Sequence, residues 1–205
     1  MRQYGPILAA LALAPAAGRA TELDILLRDQ RGAPVADAIV VLSADAAITP
    51  PSQTTLVDQK NEAFTSLVSL LRPGDSIRFH NSDKVLHHVY SFARLNPFDV
   101  HVRPGETTAE VLYATAGLAA IGCNVHDDML TYAFVTDRPF AAKTGSDGRA
   151  RILDAPEGET RLAIWHPRQQ AKDQTIEADI VISGTEQSLE FTIDMRPERR
   201  RVRAY

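Results

Sequence analysis

Apolar and polar positions alternate along most of the chain. Leu23, Ile25 and Leu27 alternate with polar residues, as in a strand with one buried face. The turn sequence DQRGAP at 29–34 is followed by a second apolar run at 35–42. We therefore predict that residues 21–42 form a β-hairpin.

The same texture recurs between turns farther along the chain. The sequences RPGD at 72–75 and RPGE at 103–106 are strong turns. The segment 56–71 fits either a strand or a helix face. Short strands are predicted at 76–81, 88–92, 111–116, 118–122, 130–137, 150–153, 160–165, 177–183 and 188–195. Many short strands separated by turns predict an all-β chain built of sandwiches or barrels.

Residues 1–20 have a different pattern. A positive start at Arg2 precedes an apolar run, and small residues at 18 and 20 precede a predicted cleavage position before Thr21. We therefore expect a signal peptide and a protein that is periplasmic or otherwise exported. An uncleaved anchor is the alternative, although the run is shorter than the ~20 residues that span a bilayer. Loss of Arg2 and Arg19 with this segment changes the net charge from −4 to −6, which argues against nucleic-acid binding.

The segment GCNVHDDM at 122–129 carries the candidate chemistry. It contains the only cysteine of the chain, Cys123, followed by His126 and Met129. A thiolate, an imidazole and a thioether are soft ligands that suit copper, and a second histidine would complete an electron-transfer copper site. Export makes a lone cysteine an intermolecular bridge, a reactive thiol or a metal ligand.

The second histidine is expected from the segment FHNSDKVLHHVYSF at 79–92, and we select His87 there. Loops of a β-sandwich cluster at its ends, so this segment can meet the 122–129 loop. Zinc with an aspartate oxygen is an alternative, but zinc has no use for Met129. An enzyme with Cys123 as nucleophile would need an oxyanion donor, and nothing in the sequence marks one. A multicopper oxidase would need further paired histidines, whereas His80, His101 and His166 are scattered.

These two segments resemble the cupredoxins, the family of blue-copper proteins that includes plastocyanin and amicyanin. Phe79, Asn81, Asp83, His87 and Val89 fall at the family's positions before and after its first ligand, and the Cys–His–Met spacing matches the short amicyanin-type loop. The resemblance implies a Greek-key β-sandwich over residues 55–137. It also implies one mononuclear copper ion with strong ligands His87, Cys123 and His126 and a weak axial ligand, Met129.

More narrowly, HHVYSF and GCN-hydrophobe-HD resemble exported plastocyanin-like proteins that are often labelled methylamine utilization proteins. Two departures from the family stand out. His88 replaces an asparagine that ties the ligand loops together, so it either does the same or competes with His87 for the metal. Asp127 and Asp128 add carboxylates beside a ligand, where they could supply an oxygen ligand.

The flanking segments resemble a transthyretin-like, carboxypeptidase regulatory-type β-sandwich. We expect it to be split, with residues 21–45 and 138–195 on either side of the cupredoxin domain; the alternative assigns the first hairpin to the cupredoxin sheet. Residues 196–205 are rich in arginine and are expected to form a basic tail.

Together these features predict an electron-transfer protein and not an enzyme, with unidentified redox proteins as partners and no membrane span in the mature chain. Two alternatives stay open. One is a periplasmic copper carrier or storage protein, and the other is a structural or binding module in which the metal is a staple.

Overall fold

The computed structural model describes residues 20–45 and 51–197. Residues 1–19 of the expected signal peptide and residues 198–205 of the expected basic tail lie outside the described residues. The predicted all-β class is confirmed, because the described part contains fifteen strands and a single turn of 3-10 helix, Lys172–Gln174. The strands are β1 (Ala20–Asp29), β2 (Ile39–Leu42), β3 (Thr54–Gln59), β4 (Val68–Leu71), β5 (Ser76–Asn81), β6 (His87–Ser91), β7 (Phe98–Val102), β8 (Val111–Leu112), β9 (Gly117–Cys123), β10 (Leu130–Val135), β11 (Ala141–Lys143), β12 (Arg149–Pro156), β13 (Gly158–Trp165), β14 (Thr175–Ile182) and β15 (Glu186–Ile193).

The strands form four sheets. Sheets β12-β1-β15 and β11-β2-β13-β14 enclose one hydrophobic core, and we call this unit the flanking sandwich. Sheets β3-β5-β8 and β4-β10-β9-β6-β7 enclose a second core, and we call this unit the central sandwich. The chain therefore contributes β1 and β2 to the flanking sandwich, builds the central sandwich from β3 to β10, and returns to the flanking sandwich.

The predicted hairpin at 21–42 is wrong. Strand β1 pairs with β12 and β15, whereas β2 lies in the opposite sheet and pairs with β11 and β13. The buried residues Leu23 and Ile25 of β1 and Val40 and Leu42 of β2 cover the same core. They cover it from opposite sheets, so the chain has to cross between the sheets after the turn at 29–34.

The ambiguous segment 56–71 forms strands and not a helix. It contains most of β3, an irregular stretch, and β4. Strand β3 runs parallel to β5 in one sheet of the central sandwich, and β4 runs parallel to β10 in the other. The apolar spacing that also fits a helix, at Phe64, Leu67 and Leu70, comes from the irregular stretch and β4. Strands β3 and β4 lie on opposite sides of the same core.

The two sandwiches contact each other through an aromatic cluster. Trp165 of the flanking sandwich is buried, and its ring centroid lies 5.7 Å from that of Tyr132 and 5.2 Å from that of Phe134. Lys143 adds a hydrogen bond from its ammonium group to the carbonyl oxygen of Val68, at 2.8 Å. This interface uses the outer face of β4 and β10, so the inner face and the loop after β9 stay available to the candidate site.

Candidate metal centre

Strand pairing brings His87 and Cys123 together. Strands β6 and β9 are antiparallel neighbours, and Cys123 of β9 pairs with Val89 of β6. Val89 lies two residues after His87 on the same strand. Alternate residues of each strand face the core, so both His87 and Cys123 point inward and are 0% and 4% exposed. Their ligand atoms, His87 Nδ1 and Cys123 Sγ, lie 3.7 Å apart.

A short loop returns the chain from Cys123 to β10 and carries the other two candidate ligands. The Met129 amide donates to the His126 carbonyl at 3.0 Å, and the Cys123 amide donates to the Met129 carbonyl at 3.3 Å. The Asn124 amide donates to the His88 carbonyl on β6 at 2.9 Å, which ties the loop to the strand that carries His87. The loop buries Met129 and leaves His126 partly exposed.

Three candidate ligands form one group. The ligand atoms of His87, Cys123 and His126 all lie within 4.8 Å of one another. Of the ring nitrogens of His126, Nδ1 is buried without a hydrogen-bond partner, while Nε2 lies 3.8 Å from a carboxylate oxygen of Glu62. A buried nitrogen without a partner is costly unless something else satisfies it.

The donor set fits a bound metal ion. In a trigonal site, metal–sulfur and metal–nitrogen distances are roughly 2.3 and 2.05 Å. A sulfur and a nitrogen ligand of the same ion would then lie about 3.8 Å apart. The observed 3.7 Å between Cys123 Sγ and His87 Nδ1 agrees with this spacing. Two imidazoles and a thiolate are the strong ligands of a mononuclear copper site.

Asp83 fixes the orientation of His87. One of its carboxylate oxygens lies 2.9 Å from His87 Nε2, so Nε2 carries the proton that it donates and Nδ1 keeps its lone pair for the ion. The amides of Asn61 and Glu62 also donate to Asp83, at 2.6 and 3.0 Å. Partial burial acts to raise the pKa of Asp83, but the hydrogen bonds from Glu62, His87 and Asn61 outweigh it and lower that pKa below its ordinary value.

The carboxylate is itself held in place. The Asp83 amide donates to the side-chain oxygen of Asn81 at 2.9 Å, and the Asn81 side-chain nitrogen donates to the carbonyls of Val85 and Val102, both at 2.8 Å. A carboxylate that accepts the second ring proton of a ligand histidine is a common feature of metal sites. Sequence reasoning placed Asp83 in the resemblance but gave it no role, because the contact depends on the fold of the 81–87 loop.

The other donors considered from the sequence lie apart from this group. His88 follows the inward-facing His87 on a strand, so it points to the outer face, where it lies 2.6 Å from Asp99. Its backbone carbonyl, and not its ring, ties the ligand loops together. Asp127 and Asp128 are exposed and are absent from the donor group that the described residues form.

The sequence comparisons return no relative: no family model matches the chain, and no curated protein is significantly similar to it. No helix among the described residues is both long and apolar enough to cross a membrane.

Solved structures do match, and several are cupredoxins, the family that the two segments resemble. A purple cupredoxin from Nitrosopumilus maritimus aligns with 40% of this chain and 99% of its own, at 15% identity and a TM-score of 0.35. The Cu(I) form of an amicyanin variant aligns with 47% of this chain and 98% of its own, at 13% identity and a TM-score of 0.36.

A copper-containing nitrite reductase from Thermus scotoductus SA-01 aligns with 55% of this chain but only 28% of its own, at 19% identity and a TM-score of 0.38. All these TM-scores are below 0.5. The functional assignment therefore rests on the side-chain geometry of this chain.

Proposed function

We propose that this protein is an exported copper-binding electron-transfer protein, and not an enzyme. The observation that carries the proposal is the buried His87–Cys123–His126 group, in which a buried ring nitrogen lacks a partner and the sulfur-to-nitrogen distance matches a trigonal site. Met129, 2% exposed in the same loop, would be the weak fourth ligand. Redox proteins of unidentified chemistry are the expected partners.

A copper ion held there would supply a one-electron couple between Cu(I) and Cu(II). The protein supplies a rigid set of ligands for both states. His87 is fixed by Asp83, and the backbone of Cys123 is fixed by the hydrogen bond to Met129. Ligands that move little between oxidation states keep the reorganisation that accompanies electron transfer small.

The site also has a buried side and an accessible side. His87, Cys123 and Met129 are buried, so water is excluded from the sulfur ligands. The His126 side chain is 24% exposed and is the natural route for an electron to leave. Large apolar side chains are exposed in the same two ligand loops, at Val85, Leu86 and Val125, and at Leu130, the first residue of β10, so the surface there is partly apolar.

Electron transfer and copper carriage can be separated by experiment. We expect the copper-loaded protein to give a reversible one-electron wave by voltammetry, with fast electron self-exchange and slow loss of Cu(I) to a chelator. Slow self-exchange with rapid copper transfer would instead favour the carrier function. Such a carrier would need exchangeable donors near the ion, whereas His88 points to the outer face and both loop aspartates are exposed.

The structural-module alternative is tested by the same protein. A large rise in melting temperature on copper binding, without any redox wave, would favour a metal staple over an electron carrier.

Export rests on the pattern of residues 1–20. Mass spectrometry of the periplasmic fraction should give a mature chain that begins at Thr21, and a chain that retains the apolar run would contradict it.

A further inference from the structure

A second group of donors lies on the outer face of the central sandwich. Strands β6 and β7 are antiparallel, and their register places His88 directly opposite His101 and Tyr90 opposite Asp99. His88, Asp99 and His101 therefore share one face of two neighbouring strands. Their ligand atoms all lie within 4.8 Å of one another.

The contacts within this group are close. The rings of His88 and His101 are stacked, with centroids 4.1 Å apart and planes 10° from parallel. His88 Nε2 lies 2.6 Å from an oxygen of Asp99. The sequence alone made His101 look isolated, because only the strand register shows that it faces His88.

We propose that His88, Asp99 and His101 form a second metal site, which binds a divalent transition-metal ion such as Zn²⁺. Two imidazoles and a carboxylate are common ligands of zinc, and three protein ligands leave a position for water. The group has no thiolate and lies on the opposite face of the sheet from Cys123. It is therefore a site for a borderline dication, separate from the sulfur-containing centre.

The observed geometry needs only side-chain adjustment to hold an ion. Two ligand atoms on a tetrahedral zinc with bonds of roughly 2.0–2.1 Å are about 3.3 Å apart, so Asp99 must withdraw by less than about 1 Å from its contact with His88. The Asp99 side chain is 59% exposed and free to do so. The stacked ring of His101 must also turn toward the ion, and His101 is exposed. The less exposed His88 would act as the fixed ligand.

The test is a calorimetric titration of the copper-loaded protein with Zn²⁺ at neutral pH. The wild type should bind one equivalent of zinc beyond its copper. Removing an outer contact of a ligand costs metal sites about 10–100-fold in affinity, so removing a ligand in H101A should weaken binding by at least about tenfold. The control is H80A, which removes another histidine of the same sandwich that contacts Thr107 and belongs to neither donor group of the described residues.

The result also separates this site from the first one. If the first site fails to take copper, the wild type should bind zinc at both sites, H101A should weaken one of the two, and the double variant H88A/H101A should lose one equivalent. Absence of saturable zinc binding to the copper-loaded wild type would overturn the proposal. So would equal affinity in the wild type and H88A/H101A, or equal weakening in H80A and H101A.

Discussion

The substitution Asp83→Asn tests how the protein holds its ligand histidine. The two oxygens of Asp83 accept three hydrogen bonds, from the Asn61 and Glu62 amides and from His87 Nε2. Asparagine keeps the size of the side chain but has one acceptor oxygen. Whichever way the amide turns, at least one of the three donors then faces an NH₂ group.

The size of the effect follows from these contacts. A hydrogen bond to a charged group contributes about 1.5–3 kcal/mol, so we expect the metal-free D83N variant to lose about that much free energy of unfolding. Loss of the carboxylate behind His87 should also weaken copper binding by about 10–100-fold, which corresponds to about 1.4–2.7 kcal/mol.

Two assays measure these effects separately. Urea unfolding of the metal-free protein reports the stability, and competition with a chromogenic Cu(I) chelator reports the affinity. D127N is the matched control, because it removes the same charge next to His126 from an exposed position. Equal Cu(I) affinity for D83N and D127N would refute the claim that Asp83 orients His87.

Three further predictions follow from other parts of the molecule. W165A removes the aromatic contact between the sandwiches. Calorimetry should show that the free energy of unfolding falls by about 3–5 kcal/mol and that two separate unfolding transitions replace one. A single unchanged transition would contradict this prediction. M129L conserves the side-chain volume, so it should lower the free energy of unfolding by less than about 1.5 kcal/mol. Voltammetry should show a higher reduction potential, because Cu(II) loses a donor, and an unchanged potential would exclude Met129 as a ligand. Burial and the nearby positive charge of Arg168 lower the pKa of His166 from 6.5 to about 4. Between these pH values the folded state binds fewer protons than the unfolded state, so the free energy of unfolding is full above about pH 6.5 and falls by up to about 3 kcal/mol toward pH 4. Urea unfolding across this range should show a weaker pH dependence for H166N than for the wild type, and an equally steep dependence would contradict the prediction.

The local sequence pattern predicted most of the strands, but it missed β7 and β11, left 56–71 undecided, and did not give all of the strands' partners. Alternation in residues 21–27 indicates one buried face, and the structure has a strand there. Alternation does not say which sheet receives that face. The hairpin prediction failed because β1 and β2 cover one core from two sheets, and that choice is made by pairing with β12, β13 and β15, more than a hundred residues later.

The candidate ligands show the same division. Cys123, His126 and Met129 share a short loop, so their proximity is local and their spacing reveals it. His87 needed a second motif, because its contact with Cys123 spans 36 residues. The outward direction of His88 follows from alternation once His87 faces inward.

The contacts of Asp83 and His101 could not be inferred in this way. Asp83 reaches His87 through the path of a loop, and His101 meets His88 through a strand register. Neither loop path nor register is encoded in the local spacing of residue types.

The most direct test of the central claim is the visible and EPR spectrum of the mature protein loaded with Cu(II), compared with that of C123A. A copper ion bound by the Cys123 thiolate in a trigonal site predicts strong visible absorption and narrow copper hyperfine splitting in the wild type, and loss of both in C123A. A pale wild-type protein with wide splitting, or a C123A variant that keeps the colour, would contradict the proposed electron-transfer site.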